Sequence, residues 1–193
     1  MKTIGVLALQ GDFDAHRKAL ERAAQEPLHA IEVRTAQQLT ACDALILPGG
    51  ESTTMLKLLE IENLTEPLKH FGESKPIFGT CAGAILLARE VTSPAQPSLA
   101  LMDIAVERNA YGRQLDSHVT QIQLNETLDE SNDKLEAVFI RAPIIRATGP
   151  GVKILASSNG TPVWVEQGRH MVTTFHPELT TDPRVHRHFI ERI

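Results

Sequence analysis

The sequence predicts an α/β fold: a single-domain, three-layer sandwich with a mostly parallel central sheet and an added antiparallel portion. Two observations carry this. In the N-terminal half, short continuous apolar runs alternate with segments of helical period, as in a parallel sheet covered on both faces. In the C-terminal half, short strand-like segments follow one another, punctuated by Gly and Pro, as in antiparallel pairing. The chain has 193 residues, of which 42% are hydrophobic, which suffices for one full core.

The elements follow in order. Thr3 to Leu9 is an apolar strand bounded by Gly11. Asp12 to Ala24 has helical composition, with Phe13, Leu20 and Ala24 at helical spacing. Ala30 to Arg34 and Ala44 to Leu47 are the next strands, the latter closed by Pro48-Gly49-Gly50. Ser52 and Thr53 are candidate N-caps for a helix through Met55, Leu58 and Leu59. Pro76 to Gly79 is a fourth strand, and Ala82 to Arg89 the helix after it. Six short strands are then expected: Asp103 to Glu107, Val119 to Leu124, Ala137 to Ile140, Val152 to Ala156, Pro162 to Val165 and His170 to Phe175. Asn159-Gly160 is a hairpin turn signal. A last helix runs from about Pro183 to Ile193, and the polar stretch Asn125 to Lys134 reads as an exposed loop.

Composition narrows the function. With 19 Lys and Arg against 24 Asp and Glu, the net charge is −5. A general nucleic-acid or anionic-membrane surface would be basic, so neither partner is expected. No apolar run approaches the roughly 20 residues that span a bilayer. The first nine residues resemble the start of a signal peptide, but Gly5 interrupts them and Gln10-Gly11-Asp12 ends them without a cleavage site. Two cysteines make no disulfide framework. A cytoplasmic, reducing location follows as the expectation, and it leaves a thiol free for chemistry.

Gly79-Thr80-Cys81-Ala82-Gly83 is the G-x-nucleophile-x-G pattern with Cys as nucleophile, placed where a strand hands over to a helix. Such a bend strains the nucleophile's backbone and needs small neighbours. It also sets the sulfur at a helix N-terminus, where negative charge is favoured. The competing reading is a buried, inert core cysteine; Cys42 keeps that reading. In Phe175-His176-Pro177-Glu178, a base and an acceptor stand two residues apart. Pro177 biases His176 toward an extended conformation, in which both side chains share a face. A thiol nucleophile needs such a base and orienter; the alternative is a surface His beside an acidic loop. His16, His29, His70, His118, His170, His186 and His188 are read as surface residues, and no metal-binding spacing is seen. Pro48-Gly49-Gly50-Glu51-Ser52 offers backbone N–H groups for an oxyanion, or is simply a strand-to-helix turn; it lacks the ending of a P-loop.

Together these signals resemble the class I, triad-type glutamine amidotransferase family, and within it the glutaminase subunits of pyridoxal 5′-phosphate synthase. The likeness rests on residues 4–11, on Leu45 to Thr54 with Gly-Gly-Glu-Ser-Thr-Thr, and on Phe78 to Gly83. It continues through Val106 to Gln114 with Glu-Arg-Asn and Gly-Arg-Gln, Phe139 to Pro143, and Phe175 to Thr180. It spans nearly the whole chain and implies one amidotransferase domain over residues 1–193. By this resemblance Cys81 is the nucleophile, His176 the base and Glu178 its orienter. Gly50 and Ala82 form the oxyanion hole, and Gly49, Gly50, Glu51, Arg108, Ile140 and Arg141 bind L-glutamine. The implied partner is a (β/α)₈-barrel synthase subunit that receives the ammonia and completes the oxyanion hole; no cofactor and no metal are implied for this chain. Residues 124–134 form a longer stretch than is usual for such chains, and the chain stops soon after its last helix. Two alternatives stand beside this reading: the amidotransferase subunit of another synthase, or a catalytically silent regulatory domain of the same fold. An α/β-hydrolase is disfavoured, because there the acid precedes the His.

Overall fold

The computed structural model describes residues 1–109, 117–125 and 134–193. The expected loop 125–134 and the motif residues 110–114 therefore lie largely outside the described residues.

The N-terminal half alternates as its pattern predicts. Its elements are β1 (Lys2–Leu7), α1 (Phe13–Ala23), β2 (Leu28–Val33), α2 (Ala36–Thr40), β3 (Ala44–Leu47), α3 (Ser52–Ile61), α4 (Thr65–Ser74), β4 (Ile77–Thr80) and α5 (Ala82–Leu87). The remainder is β5 (Ala88–Thr92), β6 (Met102–Glu107), β7 (Ser117–Leu124), β8 (Lys134–Ile140), β9 (Ile144–Thr148), β10 (Val152–Ser158), β11 (Thr161–Gln167), β12 (His170–Thr173) and α6 (Arg184–Glu191).

The main sheet has the order β2-β1-β3-β4-β12-β11-β10-β7-β8. From β2 to β12 every pairing is parallel, and from β12 to β8 every pairing is antiparallel. A second sheet, β5-β6-β9, is not hydrogen-bonded to it but packs beside β10 and β11 and shares their core. The expected parallel core with an antiparallel extension is thus present.

The continuous apolar strands have a direct cause. Successive side chains of a strand point to opposite faces, and here both faces are covered. In β3, Leu45 and Leu47 enter the core shared with α2, α3, α4 and α5, while Ala44 and Ile46 enter the core under α1 and α6. Val185 and Phe189 of α6 are fully buried, each contributing roughly 1.5–3 kcal/mol to its docking.

Several elements differ from expectation. The N-cap of α3 is Glu51, whose carboxylate accepts from Thr53 N at 3.2 Å and Thr54 N at 2.7 Å. Ser52 instead turns its hydroxyl to Gln96 Oε1. The helix after Cys81 ends at Leu87, because Ala88 adopts an extended conformation and starts β5 beside Met102. Three further elements were not anticipated: α2, secured by a capping box between Thr35 and Gln38; α4, which buries Leu68 and Phe71; and β9, which completes the second sheet.

Candidate active site

The end of β4 places Cys81. Its backbone sits at φ 49°, ψ −101°, the strained geometry expected of a nucleophile turn. Its N–H donates to Thr173 O at 2.9 Å, tying the turn to the end of β12. The two glycines are required by packing. A Cβ on Gly79 would lie 2.5 Å from the Gly83 carbonyl carbon, and one on Gly83 would lie 2.2 Å from Leu47 O.

Just beyond β12 the chain delivers His176. Its N–H donates to Val138 O at 2.8 Å, which anchors it against β8. Glu178 lies in a 3-10 turn, Pro177–Leu179. The extended conformation expected for His176-Pro177-Glu178 is therefore corrected. Pro177 opens a helical turn, as proline does at a first helical position, and the turn folds Glu178 back under the imidazole. His176 Nδ1–H donates to Glu178 Oε1 at 2.7 Å. Both residues are buried, and Nε2, on the other edge of the ring, is buried with no hydrogen-bond partner. Burial disfavours charge on His176, but Cys81 and then Glu178 reverse this and hold its pKa well above the usual histidine value. Burial likewise pushes the Glu178 carboxyl up, yet His16 and His176 beside it leave it well below the usual carboxylate range.

A cleft opens above the sulfur. Gly50, Glu51, Cys81, Arg108, Ile140 and Arg141 line it. The Cys81 thiol faces Ile140 O at 3.9 Å. Arg108 is buried and donates to Glu51 Oε1 at 3.3 Å. Burial opposes the Glu51 charge, but hydrogen bonds from Thr53 and Thr54 hold its pKa at about 2. A carboxylate and a guanidinium thus stand side by side at the mouth, which suits the amino and carboxylate groups of an amino acid.

The comparisons with known proteins decide the family. Residues 6–193 match the SNO glutamine amidotransferase family. The chain belongs to that family. It is 56% identical over 195 residues to the pyridoxal 5′-phosphate synthase subunit PdxT of Solibacter usitatus, covering 100% of both chains. The PdxT of Thermus thermophilus is 48% identical over 191 residues, with 97% of this chain and 96% of that one covered. A crystal structure titled glutamine amidotransferase superposes with TM-score 0.87 at 46% identity, covering 98% of this chain and 97% of that one. The PurLQS structure from Thermotoga maritima, at 16% identity and TM-score 0.72 over 98% of each chain, shares the fold.

Within this amidotransferase frame, the expected site residues converge. Ala82 follows Cys81 as the first residue of α5, where a backbone N–H has no partner inside the helix. Gly49 stands against the His176 ring, while Gly50 and Glu51 line the cleft. Ser52, Ile85, Asn109 and Pro143 also line the cleft and were not anticipated. Among the described residues no group of three His, Cys, Asp or Glu stands close enough to hold a metal, and no helix is long and apolar enough to cross a membrane. Cys42 is a buried packing residue, its thiol pushed up to about 11 by burial.

The surface reading of the histidines is corrected for three of them. His16 and His186 are fully buried, with His16 Nδ1 3.0 Å from His186 Nε2. His170 is buried as well, its Nδ1 accepting from Ile77 N at 3.2 Å. Each meets a specific polar partner indoors, which is what permits its burial.

Proposed function

We propose that this chain is the glutaminase subunit of a pyridoxal 5′-phosphate synthase. It acts as one domain over residues 1–193 in a cytoplasmic, reducing setting, and hydrolyses L-glutamine to L-glutamate and ammonia. The observation that carries the proposal is the buried Cys81–His176–Glu178 arrangement beneath a cleft lined by Glu51 and Arg108. The names of the full-length relatives point to the same synthase.

In the proposed chemistry, Cys81 sulfur attacks the side-chain amide carbon of glutamine while His176 holds the thiol proton. Backbone N–H groups of Gly50 and Ala82 stabilise the oxyanion of the tetrahedral intermediate. Collapse breaks the C–N bond, and His176 gives its proton to the departing ammonia, leaving a glutamyl thioester. Water then attacks the thioester, His176 takes its proton, and glutamate leaves as the thiol is restored. Glu178 keeps one imidazole nitrogen protonated and aligned. Gly49, Gly50, Glu51, Arg108, Ile140 and Arg141 hold the amino-acid end of the substrate. Ammonia passes to a (β/α)₈-barrel synthase subunit, whose docking completes the oxyanion hole. Glutamate release by the wild type, with and without that subunit, tests the reading. Release that rises on adding the subunit supports it; no release in its presence refutes it.

A further inference from the structure

The proposed mechanism uses one oxygen of Glu178 and leaves the other unexplained. Oε1 accepts from His176. Oε2 is buried and makes no hydrogen bond of good geometry, although His16 Nε2 lies 3.4 Å away. A buried carboxylate oxygen without a donor is costly, so what stands beside it matters. Behind Glu178, α1 and α6 place two fully buried histidines, neither of them assigned a role so far.

Their tautomers follow from the contacts. His16 Nδ1 meets His186 Nε2 at 3.0 Å, and His16 Nε2 meets Thr80 Oγ1 at 3.1 Å. If His186 Nε2–H donates to His16 Nδ1, then His16 carries its proton on Nε2, facing Thr80 Oγ1 and Glu178 Oε2. His186 is then left with a bare Nδ1, which indeed has no partner. The reverse assignment buries an unpaired N–H at His186 Nδ1 and turns a lone pair toward the Glu178 carboxylate. It exchanges an unpaired acceptor at His186 for an unpaired N–H and adds lone-pair repulsion at Glu178. Phe78 braces both rings edge to face, at 6.2 Å from His16 and 5.8 Å from His186.

We propose that His16 is a positioning residue of the site: its Nε2–H supports the second carboxylate oxygen of Glu178, and His186 locks the tautomer that makes this possible. The proposal rests on the glutaminase reading above for its role in turnover. Burial keeps both rings neutral, holding His186 at about 3 and lowering His16. Around His16, Glu178 and Asp12 favour protonation and His176 opposes it. Around His186, His16 and Arg22 oppose it and Glu178 favours it. A neutral donor steadies the carboxylate without competing with His176 for its charge. Because Thr80 precedes Cys81, the same N–H also touches the nucleophile turn.

The test compares His16→Gln and His16→Asn, two polar variants that differ in reach. The Gln amide nitrogen falls near the place of His Nε2; the Asn nitrogen falls near Nδ1. With the synthase subunit bound, His16→Gln keeps glutamine kcat within about threefold, while His16→Asn loses roughly tenfold or more at unchanged KM. The acid limb of kcat/KM moves up in pH for His16→Asn, because Glu178 protonates more readily. His186→Phe, lacking the tautomer lock, also lowers kcat. Equal kcat in all variants and wild type, or equal loss in the Gln and Asn variants at matched thermal stability, overturns the proposal. Iodoacetamide alkylation of Cys81 against pH, in the chain without its partner, gives a readout that needs no glutamine. If wild type hydrolyses no glutamine, the function reading fails, and the alkylation profile alone decides the positioning claim. An acid limb unmoved by His16→Asn there refutes it.

Discussion

Gly49→Ala tests whether the placement of His176 sets the rate. A Cβ at Gly49 would stand 2.4 Å from His176 Cε1, 3.1 Å from Nδ1 and 3.4 Å from Nε2. Ordinary carbon contacts begin near 3.4 Å, so the ring or the Gly49 backbone must yield by about 1 Å. The ring is not free to yield cheaply. Glu178 holds it at 2.7 Å, and its own N–H is anchored to Val138 O. A displacement of about 1 Å in a catalytic group costs on the order of 100-fold in rate. Glutamate release by the complex of Gly49→Ala with the synthase subunit is expected to fall by about that factor. KM for glutamine should change by less than kcat, since the new Cβ meets the His176 ring first. Thermal unfolding of the variant separates local displacement from global loss of structure. A well-folded Gly49→Ala chain with wild-type kcat would refute the reasoning.

Two further outcomes follow. The buried histidines make the fold acid-labile: burial lowers His16 and holds His186 at about 3 and His170 at about 4, so the folded state resists protons that the unfolded chain accepts below about 6.5. Their stabilisation is complete above pH 6.5 and is lost as pH falls toward the folded values; each fully buried ring contributes about 1.4 kcal/mol per pH unit in that window. His176, raised in the fold, acts in the opposite sense and only above 6.5, where its contribution fades as pH rises. Urea unfolding at pH 6.5 and pH 5 should show a clear drop in stability, whereas surface histidines would leave it flat. In the second outcome, Arg108→Lys keeps the charge but loses the planar fork beside Glu51. KM for glutamine should rise roughly tenfold with kcat little changed, and a fall in kcat at constant KM would contradict a binding role.

The parallel half of the sheet was legible because burial on both faces leaves an unbroken apolar run, as in Ala44 to Leu47. The tight turn at Cys81 was legible because Gly79 and Gly83 have no room for a Cβ. Short-range geometry was harder. His176-Pro177-Glu178 brings its two side chains together as expected, but through a 3-10 turn, since proline fits a first helical position as readily as an extended one. β5 and β9 escaped notice because each has only a partial apolar face, and β9 pairs with β6 from far along the chain. His16 carried a usable signal: with Ala19, Leu20 and Ala23 it forms the buried face of α1 at positions i, i+3, i+4 and i+7. A stripe drawn through Phe13, Leu20 and Ala24 is rotated away from that face and leaves His16 out. His186 was masked differently: only tertiary packing supplies the partner that lets a histidine turn inward.

In the proposed function, Cys81 generates the ammonia that the synthase consumes. The most direct measurement is pyridoxal 5′-phosphate formation by the complex carrying Cys81→Ala, with either glutamine or an ammonium salt as nitrogen source. Product is expected to form from ammonium and not from glutamine. Product from glutamine at the wild-type rate would contradict it.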